Sequence, residues 1–184
     1  MGECAMTGSR PRWRGPVWWV LGGLFVAALV ALFWPLLVRP YEPVPHRQCL
    51  ADVKNLAIAL NMYLYDYDAL PNPERWCDRT MEYVKSEEVY RCPQAPDLRC
   101  GYALNTGAEG ASYADAASGA SGAGVVAIFE SDAGWNAHGG RKLLPEKPRY
   151  MGGDCYGFLD GHAKWFERGG AEKLRWELGA QNRE

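Results

Sequence analysis

The stretch GGDCYGFLDGHAKWF, residues 152–166, decides how the rest of the chain is read. Asp160-Gly161 is a dipeptide that tight hairpin turns favour, because it tolerates positive φ at little cost. Gly152 and Gly153 allow a second positive φ or a bulge at the start of the first strand. Tyr156, Phe158 and Trp165 then supply one apolar sheet face, and His162 sits on the surface or across the strand pair. The rival reading recruits Asp154, Asp160, His162 and His138 as ligands or acid–base groups. It lacks company: the chain holds no His-Glu-x-x-His, no Gly-x-Ser-x-Gly elbow and no glycine-rich phosphate loop opening a helix. A catalytic centre needs several convergent groups. The expectation is a structural hairpin and no enzymatic activity.

Working outward, VVAIFE (residues 125–130) is a β-rich apolar run and the natural central strand. Residues 101–124 are dominated by Gly, Ala and Ser, bury little apolar surface, and predict a long mobile loop. A short helix is expected around Asp78 to Lys85, a brief strand at Val89 to Cys92, and a final short helix over AEKLRWEL. The strongest periodic signal lies at residues 48–65, QCLADVKNLAIALNMYLY. Leu50, Val53, Leu56, Ala57, Leu60 and Leu64 fall on one stripe, so this is an amphipathic helix with one buried face. Tyr63, Tyr65 and Tyr67 are expected half-buried over its core. Pro71 and Pro73 stop it.

The N-terminus has a different character. Arg10, Arg12 and Arg14 precede an uncharged run, residues 15–38, that ends at Arg39. At about 1.5 Å per residue such a run spans a hydrocarbon core of roughly 30 Å. It lacks the small-x-small end of a cleaved signal, and Trp18, Trp19 and Trp34 lie near its ends, as in an aromatic belt. A retained single-pass transmembrane helix is expected, with residues 1–14 cytoplasmic and the remainder exported. Pro40, Pro43 and Pro45 make 39–47 a linker that breaks the helix. Residues 48–184 form one α+β domain, a long helix leaning on a small antiparallel sheet. The formal net charge of −2 creates no field that would recruit nucleic acid, so no nucleic-acid partner is expected.

Export changes the meaning of the cysteines. Cys4 stays on the reducing side, and Cys49, Cys77, Cys92, Cys100 and Cys155 meet oxidising conditions. No Cys-x-x-Cys knuckle occurs, so structural zinc is not expected and disulfides are. Five is odd, which leaves one thiol free or paired between chains.

Three blocks in order, CLADVKNLAIALNMYLYDYDALP (residues 49–71), YVKSEEVYRCP (83–93) and GGDCYGFLDGHAKWF (152–166), resemble the bacterial pseudopilin-like proteins with a prepilin-type processing-associated H-X9-DG domain. The resemblance implies a pilin-like α+β head, as in type IV pilins and type II secretion pseudopilins. It implies no enzymatic activity and no cofactor. Gly152, Gly153, Asp160, Gly161 and His162 occupy the family's turn. It also favours a Cys49–Cys92 disulfide that ties the long helix to the sheet, with Cys77–Cys100 as a second bridge and Cys155 left over. Some type II pseudopilins hold calcium in loops near the end of the head, and the oxygen donors here would be Asp132, Asp154 and Asp160.

Two departures stand out. Tyr150 occupies the place of the signature histidine, and no prepilin cleavage site follows Gly15, where Pro16 and Val17 come next and Val20 stands at the fifth position. The function implied is a membrane-anchored structural or accessory component of a type II secretion or type IV pilus-like system at the bacterial inner membrane. Its partners would be the lipid bilayer, other pseudopilins and the secretion or pilus machinery. The alternative is a membrane-tethered extracytoplasmic module that binds an envelope component through the Gly/Ala/Ser loop and exposed tyrosines.

Overall fold

The computed structural model describes residues 15–37, 45–119 and 124–179. The expected cytoplasmic segment 1–14, Cys4 and most of the 39–47 linker lie outside these residues. The chain divides into two compact units, Met1–Glu42 and Pro43–Glu184. The first contains helix α1, Gly15–Leu37.

The transmembrane helix expected over 15–38 is corrected here: among the described residues no helix is long and apolar enough to cross a membrane.

The second unit is α+β. Helix α2 runs Pro45–Tyr67, starting earlier than its apolar stripe because proline is tolerated at a first helical position, where its missing N–H has no partner to lose. Cys49, Val53, Leu56, Ala57, Leu60 and Leu64 are fully or almost fully buried along one side. Helix α3, Trp76–Val84, ends on Lys85 in the left-handed region, whose N–H donates to the Met81 carbonyl. Helix α4 is a single turn, Tyr113–Ala117, fixed by a capping box between Ser112 and Asp115.

Five strands follow: β1 Tyr102–Asn105, β2 Val126–Glu130, β3 His138–Gly139, β4 Gly153–Phe158 and β5 Ala163–Glu167. Their order across the sheet is β3-β1-β2-β4-β5. The β1–β2, β2–β4 and β4–β5 pairs are antiparallel, but β3 runs parallel to β1. The sheet is therefore mixed, not antiparallel as expected, because residues 131–137 carry the chain round to the free edge of β1.

Strands β1, β2 and β4 are buried at every residue, so both sheet faces are covered. On one face Val125, Ala127 and Ile128 join the α2 stripe, Leu104 and Cys155. On the other, Ala103, Val126, Phe129, Tyr156 and Phe158 pack with Phe166, Leu174 and Trp176. Ala127 and Ile128 are consecutive yet share a face because β2 has a register shift between Val126 and Ile128, as a β-bulge produces. The back layer explains another departure. The expected AEKLRWEL helix is a 3-10 turn, Gly170–Lys173, after which the chain extends so that the Arg175 carbonyl accepts from Val126 N–H at 2.9 Å and Trp176 meets Phe129 edge-on.

Other expectations need correction on the same grounds. The 101–124 loop contains β1, a 3-10 turn and α4; only residues 120–123 of it lie outside the described residues. Strand β1 is buried at all four residues, with Leu104 and Tyr102 on one covered face and Ala103 on the other. The brief strand at 89–92 is instead a 3-10 turn, Glu87–Tyr90, because the Ser86 side chain caps it by accepting from Glu88 N–H. Trp165 pairs with Cys155 and so faces α2, opposite to Tyr156 and Phe158. Tyr65 and Tyr67 are 69% and 62% exposed, outside the core that was expected to hold them.

Candidate functional site

The Asp160-Gly161-His162 turn closes the β4–β5 hairpin and docks on α2. Gly161 has φ +85° and packs near Ile58, and the Asn61 amide donates to the Leu159 carbonyl at 2.8 Å. The Asp160 carboxylate accepts from His162 N–H at 3.1 Å and lies 2.5 Å from His162 Nδ1. The imidazole in turn stacks on Phe158, ring centroids 4.1 Å apart and nearly parallel. These contacts spend the turn's polar groups on holding the turn. Gly152 takes φ +81°, while Gly153 sits within β4, where a side chain would collide with the Phe166 carbonyl and the Trp165 ring. His138 lies at the opposite edge of the sheet on β3 and Asp154 is held by Arg168, so of the four residues of the rival enzyme reading only Asp160 and His162 meet.

The aspartates named as calcium donors are also placed apart. Asp154 is fully buried and held by the Arg168 guanidinium through both oxygens, at 2.9–3.1 Å. Asp132 accepts from Arg149 at 2.6 Å, and Asp160 serves its turn. Among the described residues they form no common ligand group; the group that does form is Cys49, Cys92 and Glu130.

That group lies where α2 meets the sheet. Cys49 is one helical turn before Val53 on the buried stripe, and Cys92 follows the 3-10 turn at 87–90. Their sulfurs are 2.6 Å apart and buried. Two thiolates sharing a tetrahedral zinc with Zn–S bonds of about 2.3 Å stand roughly 3.7 Å apart, so this spacing does not suit a shared metal. A covalent S–S bond is about 2.05 Å, which is a half-ångström closure. Within the pair, Cys92 is the readier thiolate: its hydrogen bond with Cys49 and the nearby Arg149 lower it, while the same bond and burial push Cys49 up. Cys77 on α3 and Cys100 before β1 form a second buried pair with sulfurs 3.9 Å apart.

Around the first pair is a set of buried polar groups that no sequence motif singles out. Glu130, at the end of β2, is 1% exposed and accepts from Cys155 N–H at 3.2 Å. Burial, then the Cys92 charge, raises its carboxyl to about 8 against the pull of Arg149. Arg149 is itself buried and donates to the Gly101 and Ser131 carbonyls at 2.9 and 2.7 Å. Asp52 lies one helical turn from Cys49, with burial raising its carboxyl to about 7. Asp52 Oδ2 and the Tyr102 hydroxyl are buried without a hydrogen-bond partner among the described residues. The apolar run VVAIFE signals a strand but not which way its end residue turns; Glu130 faces in, and the chain continues through buried Ser131.

Compared with protein-family models, curated proteins and solved structures, the chain matches none.

Two measurements follow from this geometry. Peptide mapping under non-reducing conditions, after folding in an oxidising compartment, should recover Cys49 joined to Cys92 and Cys77 to Cys100, with Cys155 as a free thiol; Cys92 joined to Cys100 would contradict it. Chain-entropy reasoning gives about 4 kcal/mol for the longer loop and about 3.5 kcal/mol for the shorter. In the reduced protein, Glu130 binds its proton more tightly folded than unfolded. Its contribution to stability is therefore complete below the ordinary carboxyl range near pH 4.5 and is lost as pH rises through about 8. Urea unfolding between pH 5 and pH 8 should show stability falling by roughly 1.4 kcal/mol per pH unit from this group, and Glu130→Gln should flatten that slope. An unchanged slope in the variant would show that Glu130 is not protonated in the fold.

Proposed function

We propose that the chain is a non-enzymatic pseudopilin-like protein, a structural or accessory component of a type II secretion or type IV pilus-like assembly. The observation that carries this reading is the two-sided character of α2. Its inner stripe is buried against the sheet, while Ile58, Met62 and Tyr65, spaced i, i+4, i+7, are 40%, 47% and 69% exposed. That spacing places apolar groups on one outward helix face, a surface suited to packing against another helical subunit. The hairpin turn of the resembled family supports the same reading, because here the Asp160-Gly161-His162 turn docks on α2. The pairs Asp154–Arg168 and Asp132–Arg149 likewise act as internal ties.

Photo-crosslinking in the producing cell tests this directly, with a benzophenone amino acid in place of Met62. The expected product is a covalent adduct with a second pilin-like chain, identified by mass spectrometry and reduced when Ile58 is changed to Lys. Adducts confined to chains without a pilin-like head would contradict the assembly role. Turnover of any substrate lost in both Asp160→Asn and His162→Ala would contradict the non-enzymatic one.

A further inference from the structure

The end of α2 and the outer side of α3 enclose a cleft of about 390 Å3 lined by Tyr63, Tyr67, Asn72, Arg79, Glu82 and Tyr83, with Asp78 at its wall. Its volume is within the range of small-molecule sites, roughly 300–1,000 Å3. Neither the cysteine cluster nor the hairpin uses it. Tyr63 and Tyr67, one helical turn apart, have ring centroids 4.4 Å apart at 31°, and Tyr83 stands edge-on to Tyr63 at 6.1 Å. The Tyr83 hydroxyl donates to Asp66 at 2.6 Å, which fixes its ring. Asp78 is fixed too, accepting from Trp135 Nε1 at 3.1 Å and Asn136 Nδ2 at 2.8 Å. The frame is therefore held in place before any ligand arrives.

What the frame presents is an exposed aromatic ring beside uncommitted polar groups. Tyr67 is 62% exposed. Asn72 uses its carbonyl oxygen to accept from Glu74 N–H, which leaves its amide N–H groups for another partner. Arg79 and Glu82 make no ion pair or side-chain hydrogen bond among the described residues. Donors and acceptors thus ring an aromatic face. We propose that this cleft binds a neutral saccharide, one pyranose ring laying its C–H face on Tyr67 and exchanging hydroxyl hydrogen bonds with Asn72, Arg79 and Glu82.

The competing ligand classes fit less well. A cage for an ammonium group needs several ring faces turned to one point, whereas Tyr63 and Tyr67 cover each other's facing sides and Tyr83 presents an edge. Phosphorylated or acidic ligands meet two lining carboxylates, Asp78 and Glu82, against Arg79, with Arg75 and Arg99 already acting on Asp78. A purely apolar ligand would strand Asn72, Arg79 and Glu82 without partners, at a desolvation cost. This inference stands independently of the assembly role, since it concerns α2 beyond the Ile58–Tyr65 stripe and the outer side of α3.

The test is isothermal titration of the full chain with three soluble probes: the hexamers of β-1,4-linked N-acetylglucosamine, β-1,4-linked glucose and α-1,4-linked glucose. Binding of at least one probe is expected, weakened about tenfold by Tyr67→Ala. That factor equals about 1.4 kcal/mol, the scale of one lost aromatic stack. Tyr113→Ala, which removes a ring packed on Tyr65 outside the cleft, should leave affinity unchanged. Because Tyr67 is exposed, its removal spares the core, and matching unfolding midpoints for the two variants verify this. Failure of all three probes to bind at about 10 mM, tenfold above a millimolar Kd, would overturn the proposal. Binding that Tyr67→Ala leaves intact would overturn it equally.

Discussion

The second unit is organised by how closely α2 approaches the sheet, and that distance is set at Gly157. A Cβ on this residue would stand 2.6 Å from Ile128 Cγ2, 2.9 Å from the Ala57 methyl and 3.1 Å from Val53 Cγ1. Contacts this short do not occur between packed side chains, so helix and strand meet only because β4 has no side chain there and α2 offers alanine. Interiors are packed to crystal-like density and cannot absorb such an overlap cheaply. Everything on that face inherits the spacing: Leu56 and Leu60 reach the sheet, Asn61 reaches the Leu159 carbonyl, and Cys49 reaches Cys92.

The same seam explains why ionisable groups gather in the interior. With α2 so close, water is excluded from the end of β2, and Glu130 and Asp52 are each pushed towards their neutral forms chiefly by burial. Arg149 enters from the 141–150 segment and ties the start of β1 to the end of β2 through two backbone carbonyls. Two cysteine pairs bracket this region, one joining α2 and the other α3 to the chain between residues 92 and 100. Closed as disulfides, both pairs would stabilise the small domain by limiting its unfolded chain.

Much of this frame is readable from the residues. The α2 stripe, the VVAIFE strand and the hairpin about Asp160-Gly161 each carry a local signal, a 3.6-residue period, a β-branched run or a turn dipeptide, and each corresponds to an element of the fold. What the sequence hides is long-range. Strand β1 is too short, and set in too Gly/Ala/Ser-rich a stretch, to announce itself, and becomes a strand because β2 and β3 pair with it. The back layer built by Leu174 and Trp176 has no period at all, and its place follows from the Phe129 and Tyr156 rings it covers. The bulge in β2 and the inward turn of Glu130 are equally invisible locally. The tyrosines at the end of α2 look like core by composition, yet Tyr65 and Tyr67 emerge on the surface because the sheet does not extend that far.

The central claim is that contact between α2 and β4 at Gly157 governs the head, and a double-mutant cycle tests it most directly. Urea unfolding would compare Gly157→Ala in the parent chain with Gly157→Ala in an Ala57→Gly background. Overpacking should cost about 1–3 kcal/mol in the parent, and removing the facing methyl should recover about 1 kcal/mol of that, a coupling within the range for residues in contact. Equal costs in the two backgrounds would mean that the helix and strand are free to separate there, and the account of the seam would be wrong.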